Sequence, residues 1–126
     1  MGFKTADLCD EYSDELQIAE PVFRAFGKRT SFSGTIYTVK TFEDNTFVRA
    51  SLEEAGQGRV LVVDGGASRR CALVGDKLAA LAIENDWAGI IVNGCIRDSE
   101  AIDGMEVGVK AWATGQGKRT KNSYGE

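Results

Sequence analysis

The chain has 126 residues, with 15 basic and 19 acidic side chains and no histidine. This length fits one domain, and a hydrophobic fraction of 43% is enough to build a core. The acidic balance argues against nucleic acid or an anionic membrane as a direct ligand. The lack of histidine excludes Ser-His and Cys-His nucleophiles, so acid–base or metal chemistry must use other side chains. Carboxylates favour a hard divalent cation such as Mg²⁺ or Mn²⁺.

The three cysteines are Cys9, Cys71 and Cys95, which are widely spaced and form no CxxC pair. No stretch of the sequence has the pattern of a secretory signal or a membrane span. We therefore expect reduced thiols and a cytoplasmic location.

The first 56 residues predict two helices and a strand. Thr5 is predicted to begin a short helix that ends near Tyr12, and residues 16–26, with the single proline Pro21, are predicted to be an apolar connection. Residues 32–42 are rich in Thr, Ile, Tyr and Val and predict a strand. Residues 43–45 predict a turn and the start of a second helix, and Gly56 and Gly58 predict its end; its expected apolar face consists of Phe47, Val48, Ser51, Leu52 and Ala55.

Two apolar, β-branched runs follow, at residues 59–64 and 87–93, and each ends at a glycine. Such runs are typical of buried parallel strands. The residues between them have helical spacing behind Gly75, which predicts a helix over 76–85 with Asp76 as its N-cap. The crossover is long enough for parallel pairing, so we predict an α/β fold with a central parallel βαβ unit.

The last third of the chain predicts less structure. Residues 99–103 fit one helical turn, and a half-buried strand is predicted by the alternation of Val107, Val109, Ala111 and Ala113. From Gly115 the chain is polar, with three cations close together at Lys118, Arg119 and Lys121.

Charged residues lie where the predicted parallel strands end, and ligands of such units gather there. These charged residues are Asp64, Asp76 and the Arg97-Asp98 pair. Arg97 can hold a carboxylate bidentately, Asp98 can bind a divalent ion, and the amides at the start of the helix favour an anion. The arrangement suits a small keto acid.

Each of these features also has a simpler interpretation. Gly65-Gly66 is interpreted either as a tight turn or as a pair of amides near an anion. Asp76 alone is explained as a helix cap, and Arg97-Asp98 as a solvated or self-paired dipeptide. The dinucleotide pattern GxGxxG and the phosphate-loop pattern GxxxxGK[ST] are both absent from the sequence.

Six short motifs occur along the sequence, at residues 8–10, 20–21, 42–45, 58–66, 70–76 and 94–98. Through these motifs the chain resembles the RraA-like family over residues 5 to about 113. The resemblance implies an RraA-like β/β/α domain in a homotrimer or hexamer. The family contains regulators of ribonuclease E and divalent-metal 4-hydroxy-4-methyl-2-oxoglutarate aldolases, which also decarboxylate oxaloacetate. Many members carry a demethylmenaquinone methyltransferase label, but this chain has no methyltransferase glycine motif.

The aldolase branch has an Asp, twenty residues and then Arg-Asp, an interval that Asp76 and Arg97-Asp98 reproduce. The resemblance implies that Asp98 binds the metal and that Asp76 orients a metal-bound water. It makes Asp76 and Arg97 the catalytic residues, and it implies that a pyruvate-like substrate is bound by Gly75, Asp76, Lys77, Leu78 and Arg97. The metal would be Mg²⁺ or Mn²⁺.

The chain departs from the family pattern at two places. Acidic residues are expected three and four places after the motif Asp, where this chain has Ala101 and Ile102. Family members also continue through a further glycine-rich β segment, so residues 1–126 are expected to be one RraA-like domain that either lacks this segment or closes its sheet differently.

Two functions follow from the resemblance. One is a metal-dependent aldolase or decarboxylase of short 2-oxo acids, and the other is a non-catalytic regulator that binds and inhibits ribonuclease E. An oligomeric scaffold with a relict pocket is a third interpretation. In the expected trimer or hexamer, we predict that subunits bury some of the apolar residues outside the βαβ unit, a set that includes Phe23, Phe26, Phe32 and Trp112.

Overall fold

The structure is a computed structural model, and it describes residues 8, 10–12, 14–17 and 22–115. In this part of the chain, six strands form one sheet, three helices with described bounds accompany it, and residues 8, 10 and 11 are also helical. The elements in chain order are β1 (Arg24–Phe26), β2 (Ile36–Lys40), α1 (Thr46–Leu52), β3 (Val60–Asp64), β4 (Ala72–Val74), α2 (Asp76–Glu84), β5 (Gly89–Ile96), α3 (Ser99–Asp103) and β6 (Val109–Thr114).

The sheet has the strand order β1-β6-β5-β3-β2, and β4 pairs separately with β5. Strand β3 pairs with β5 in parallel, with Leu61 opposite Ile90 and Val63 opposite Val92. The predicted α/β fold and the central parallel βαβ unit are therefore confirmed. Only β1 is antiparallel to its neighbour among the pairs that the structure describes.

The core lies where the apolar residues of the central strands meet the helices. Alternate residues of a strand point to one face, and β3 contributes two fully buried side chains there and β5 three. Both α1 and α2 pack apolar residues against them. The fully buried members of this cluster on these four elements are Leu61, Val63, Ile90, Val92, Ile96, Val48, Leu52, Ala79 and Ala82.

The three-residue strand β4 has the largest effect on the site. It pairs with the end of β5, with Ala72 opposite Cys95 and Val74 opposite Ile96. Strand β3 pairs only as far as Asn93, and β6 occupies the other side of β5, so β4 continues along the side that β3 leaves. The register of β5 shifts by one residue at this point, as in a β-bulge, and such bulges change the direction of later side chains.

The structure corrects several expectations about the helices. The N-cap of α2 is Gly75, and Asp76 is the first helical residue, so the prediction of Asp76 as the cap is wrong. Helix α1 ends at Leu52, before the two glycines expected to end it. Phe47 is 62% exposed, and Ala55 lies outside the helix and is exposed, because the helix is short and its buried face comprises Val48, Ser51 and Leu52.

Two expectations for the strands are also wrong. The strand predicted over 32–42 spans only Ile36–Lys40, and part of the expected apolar connection is strand β1. Phe26, one of the candidates for burial between subunits, is 5% exposed and belongs to the chain's own core, because β1 pairs with β6. The helical turn at Ser99–Asp103 and a strand within residues 107–113 are confirmed.

Other expectations fall outside the described residues: the start of the first helix at Thr5, the position of Pro21, and the cations Lys118, Arg119 and Lys121. Cys71 and Cys95 are both buried, and Cys95 is a free thiol, in agreement with the expected reduced state, whereas Cys9 is not described. Burial raises the pKa of the Cys95 thiol, which opposes formation of a reactive thiolate. None of the described helices is long and apolar enough to cross a membrane.

Candidate active site

Four of the predicted site residues meet where β4 and β5 end. The amide of Arg97 donates to the carbonyl of Val74 at 3.0 Å, which holds the two strand ends side by side. The Asp98 carboxylate accepts the amide of Asp76 at 3.3 Å, and its Oδ2 atom lies 3.7 Å from Nε of Arg97. The structure therefore brings together Gly75, Asp76, Arg97 and Asp98.

Gly75 permits this close approach because it has no side chain. A Cβ atom at Gly75 would lie 2.9 Å from Oδ2 of Asp98 and 3.4 Å from Nε of Arg97. Its backbone is extended, with φ −122° and ψ −169°, a conformation that any residue adopts. The requirement for glycine here is space for the two charged side chains.

Asp98 has an uncommon backbone conformation, with φ 58° and ψ 38° in the left-handed region. Aspartate is one of the few residues enriched there. Asp98 also begins α3, since its carbonyl accepts the amide of Ile102 at 2.9 Å. The sharp change of direction between β5 and α3 places the Asp98 carboxylate beside the start of α2.

The start of α2 contributes backbone donors. The first amides of a helix lack intrahelical acceptors, and the helix dipole favours an anion near them. Lys77 is exposed, whereas the Leu78 side chain is only 4% exposed and packs in the core. Leu78 can therefore reach a ligand only through its backbone.

The Arg97 and Asp98 side chains are 44% and 40% exposed, so both can reach a ligand from solvent. Their contact matches the self-paired interpretation of this dipeptide. At 3.7 Å and with this exposure the pair contributes little to stability. Both side chains can therefore leave this pair and contact a bound molecule with little loss of stability.

Asp64 does not join this group of contacts. Its Oδ1 accepts the amide of Gly66 at 3.1 Å and Nδ2 of Asn93 at 3.3 Å, and these bonds hold the pKa of Asp64 below its ordinary value. Gly66 has φ 67°, and Gly65 donates to the carbonyl of Asn93 at 3.0 Å. The tight-turn interpretation of these two glycines is therefore correct.

The departure at Ile102 has a structural reason. Ile102 is fully buried in the core, so this position of α3 faces the interior rather than the site. The neighbouring Asp103 accepts the amide of Gly27 at 2.8 Å and so links α3 to the segment after β1. Neither residue supplies a further carboxylate to the contacts around Asp98.

Glu43 was predicted only as part of a turn, but its carboxylate is buried. It is 1% exposed and accepts Nε and Nη2 of Arg70 at 2.7 and 3.0 Å and the Ser68 hydroxyl at 2.7 Å. The Arg70 bonds, with help from Ser68, hold the pKa of Glu43 below its ordinary value although burial acts in the opposite direction. Glu43 thereby ties the start of α1 to the loop between β3 and β4, which leads to Gly75.

The residues present fit a metal ion that takes few of its ligands from the protein. No group of three or more acidic or cysteine side chains suited to a metal occurs in the described ranges. Mg²⁺ usually keeps several waters and takes one or two protein carboxylates together with substrate oxygens. Asp98, with its exposed carboxylate, is compatible with such a site.

Comparison with known proteins gives the family. The family model RraA-like, described as Aldolase/RraA, matches residues 5–126. A relative from Laribacter hongkongensis is 60% identical over the whole of this chain and 79% of its own length. One from Aromatoleum aromaticum is 56% identical with the same coverage, and both carry the provisional name 4-hydroxy-4-methyl-2-oxoglutarate aldolase.

Solved structures agree with this assignment. A protein from Geobacillus kaustophilus, described as S-adenosylmethionine: 2-dimethylmenaquinone methyltransferase, is 52% identical with a TM-score of 0.90 and covers 98% of this chain and 77% of its own. The RNA-processing inhibitor RraA from Thermus thermophilis is 44% identical with a TM-score of 0.90, and covers 100% of this chain and 76% of its own. The family model, the relatives and the shared fold together show that this chain belongs to the RraA-like family.

Proposed function

We propose that this chain is a divalent-metal-dependent aldolase that cleaves 4-hydroxy-4-methyl-2-oxoglutarate to pyruvate and also decarboxylates oxaloacetate. The observation that carries the proposal is the approach of Arg97 and Asp98 to the side-chain-free start of α2. This arrangement sets an anion-binding group beside a carboxylate. The provisional aldolase name of the most similar relatives reported above supports the same chemistry.

In this proposal, Arg97 binds the carboxylate of the 2-oxo acid. Its guanidinium presents paired donors that match a carboxylate, and the amides at 76–78 add donors at the positive end of α2. Gly75 leaves the space in which the substrate approaches these groups. The keto group of the bound substrate then lies near Asp98.

Asp98 is the proposed ligand of Mg²⁺ or Mn²⁺. When bound, such an ion acts as a Lewis acid that stabilises negative charge on the keto oxygen as the carbon–carbon bond breaks. Asp76 orients a water molecule for proton transfer in this scheme. The contact of its backbone amide with the Asp98 carboxylate supports this role.

The test is pyruvate release from both substrates, with and without Mg²⁺. Asp98→Ala should lower the turnover number by about 100-fold or more at every substrate concentration, because charge stabilisation at the reacting oxygen is lost. Arg97→Ala should instead mainly raise KM, because substrate binding loses about 2 kcal/mol of free energy. This loss is near the lower end for a charge pair, since Arg97 is partly exposed.

Arg49→Ala is the control, because Arg49 lies on α1 and pairs with the exposed Glu53 that follows this helix. It should change neither parameter. Equal rates for wild type and Asp98→Ala, or no metal-dependent release by wild type, would remove the enzyme proposal.

The second candidate function is inhibition of ribonuclease E by binding without catalysis. It is favoured by the likeness to the RNA-processing inhibitor RraA and by the core position of Ile102, where the aldolase pattern has an acidic residue. A cleavage assay with ribonuclease E and a model RNA tests it. Inhibition that persists in Asp98→Ala, without pyruvate release by wild type, would favour this function.

We also propose that residues 1–126 act as one domain in a homotrimer or hexamer. Large apolar side chains remain exposed on the single chain, which supports association between copies. The three most exposed are Ile36, Phe42 and Phe47.

A further inference from the structure

A cleft lies far from the candidate active site. It has a volume of about 410 Å³ and is lined by Arg29, Ser31, Phe32, Ser33 and Ala88. Ala88 directly precedes β5, whereas Arg97 directly follows it. The eight residues of β5 therefore separate the two places by roughly 26 Å, at about 3.3 Å per residue.

Phe32 forms the apolar wall of this cleft and is held firmly. A Cβ atom at Gly89 would lie 2.4 Å from Cδ1 of the Phe32 ring, and one at Gly108 would lie 2.4 Å from Cδ2. The ring therefore spans the starts of β5 and β6 on two residues without side chains. It remains half-buried, so part of it is open to the cleft.

Arg29 is unusual among the arginines in the described part of the chain. Its amide donates to the carbonyl of Val107 at 3.1 Å, which fixes the backbone, but its guanidinium has no ion pair, hydrogen bond or ring contact there. Every other arginine in these ranges has a side-chain partner: Arg24, Arg49, Arg59, Arg69, Arg70 and Arg97.

Two cations stand at the cleft. Arg29 is the charged member of its five lining residues, none of which is acidic, and Nζ of Lys110 lies 5.9 Å from the centre of the Phe32 ring. The chain as a whole is acidic, with a net charge of −4, so this local excess of cations is not a general property of its surface. A guanidinium next to hydroxyl donors matches a phosphate or carboxylate.

We propose that this cleft binds a small aromatic anion. The charged group lies on Arg29 and the hydroxyls of Ser31 and Ser33, and the ring stacks against Phe32. The volume is within the range of small-molecule sites, and an aromatic pair adds to the affinity of the charge contact. This proposal does not depend on the function proposed for Asp98 and Arg97.

Phenyl phosphate is the probe, and binding is measured by calorimetry and by amide chemical shifts. We expect the shifts to concentrate at residues 29–33 and 88–89. Arg29→Ala should weaken binding about tenfold or more, since a hydrogen-bonded charge pair is lost. Arg49→Ala is the matched control, because it removes an exposed arginine outside the cleft, and it should leave binding unchanged.

Two further measurements separate the aromatic from the anionic contribution. Inorganic phosphate should bind more weakly than phenyl phosphate, and Phe32→Leu should reduce this difference. Phe32 packs on two strands, so replacing it also changes the packing there. Ser31→Ala is therefore a second variant: it removes a hydroxyl donor at an exposed position, and it should also weaken binding.

Several results would overturn the proposal. They are no shifts with phenyl phosphate at millimolar concentration, equal weakening by Arg29→Ala and Arg49→Ala, and equal affinity for phosphate and phenyl phosphate. A change in molecular mass with Arg29→Ala, without ligand binding, would show that the cleft instead receives an acidic group from a second copy of the chain.

Discussion

Glu43 keeps its charge inside the protein because three donors surround it. Two come from the guanidinium of Arg70 and one from Ser68. A buried carboxylate without such partners would be strongly destabilising. The side chain of Arg70 is itself 69% exposed, so the pair has one fully desolvated member and one solvated member.

Removing Arg70 should therefore destabilise the fold. Arg70→Ala leaves the buried Glu43 carboxylate with fewer donors, and we expect a loss of about 1–3 kcal/mol in the free energy of unfolding. Urea denaturation measures this loss. The control is Arg49→Ala, whose exposed pair with Glu53 contributes only about 0.3–0.5 kcal/mol. Equal effects of the two changes would contradict the prediction.

The same contacts predict a dependence of stability on pH. The pKa of Glu43 is lower in the folded protein than its ordinary value of 4.5, so its stabilising effect is full above about pH 4.5. It is lost as pH falls through the lower, folded value. Asp64 behaves in the same direction from an ordinary value of 3.8.

Unfolding free energies of wild type and Glu43→Gln, measured from pH 7 to pH 3, check this dependence. We expect wild type to lose stability below about pH 4.5 and Glu43→Gln to lose less over the same interval. Asp64→Asn serves as the control that leaves the Glu43 contribution in place. Identical slopes for wild type and Glu43→Gln would refute the assignment.

Single residues were predicted well only where sequence neighbours explain them. Arg97 and Asp98 are adjacent, so their joint position followed from the end of one strand. Glu43 and Arg70 are 27 residues apart, and the acidic run at 43–45 resembles an ordinary turn. Their pairing depends on tertiary contacts, which a single sequence does not reveal.

At the scale of elements, the short strand β4 determines how the site is assembled. Three residues are too few for a clear periodic pattern, so no strand was predicted between the glycine turn and α2. The shift of register in β5 was also not predicted, because a bulge has no strong local signal here. Both features place Val74 beside Arg97.

Gly75→Ala tests the space at this junction. The added Cβ would lie 2.9 Å from Oδ2 of Asp98, so this flexible carboxylate must move. Loss of stability should be less than about 1 kcal/mol, because an alanine at the N-cap is only moderately unfavourable. The value of kcat/KM for pyruvate release should fall about 100-fold, since a misplacement of about 1 Å has that effect.

The matched control for this change is Gly104→Ala. Its Cβ would lie 3.5 Å from the carbonyl oxygen of Ala101, which is ordinary contact, and its backbone is helical. Activity of Gly104→Ala should remain normal. If Gly75→Ala were as active as this control, the site would not require the close approach of Asp98.

At the scale of the whole molecule, the order of the central strands was predictable, but the edges of the sheet were not. Long β-branched runs identified β3 and β5 because both are buried on the helical side. Strand β1 has only three residues and became a strand through its pairing with β6. Such edge strands depend on their partners more than on their own composition.

Assembly is the prediction that belongs to this scale. We expect light scattering at micromolar concentration to give the mass of a trimer or hexamer. Phe47→Lys should lower that mass if the exposed side of α1 is part of the contact, and it should leave the fold intact because Phe47 is 62% exposed. A monomer for the wild type would contradict the expectation.

The single hydrogen bond from Arg97 to Val74 has a consequence for local unfolding. Strand β4 is short, and fluctuations that release short segments need less free energy than global unfolding. Opening of β4 would expose the Arg97 amide to exchange with solvent deuterium while the amides of β3 and of the part of β5 that pairs with β3 stay protected. Each such opening would also separate Gly75 from Asp98, so the exchange rate of one amide would report how often the site is dismantled in an otherwise folded molecule.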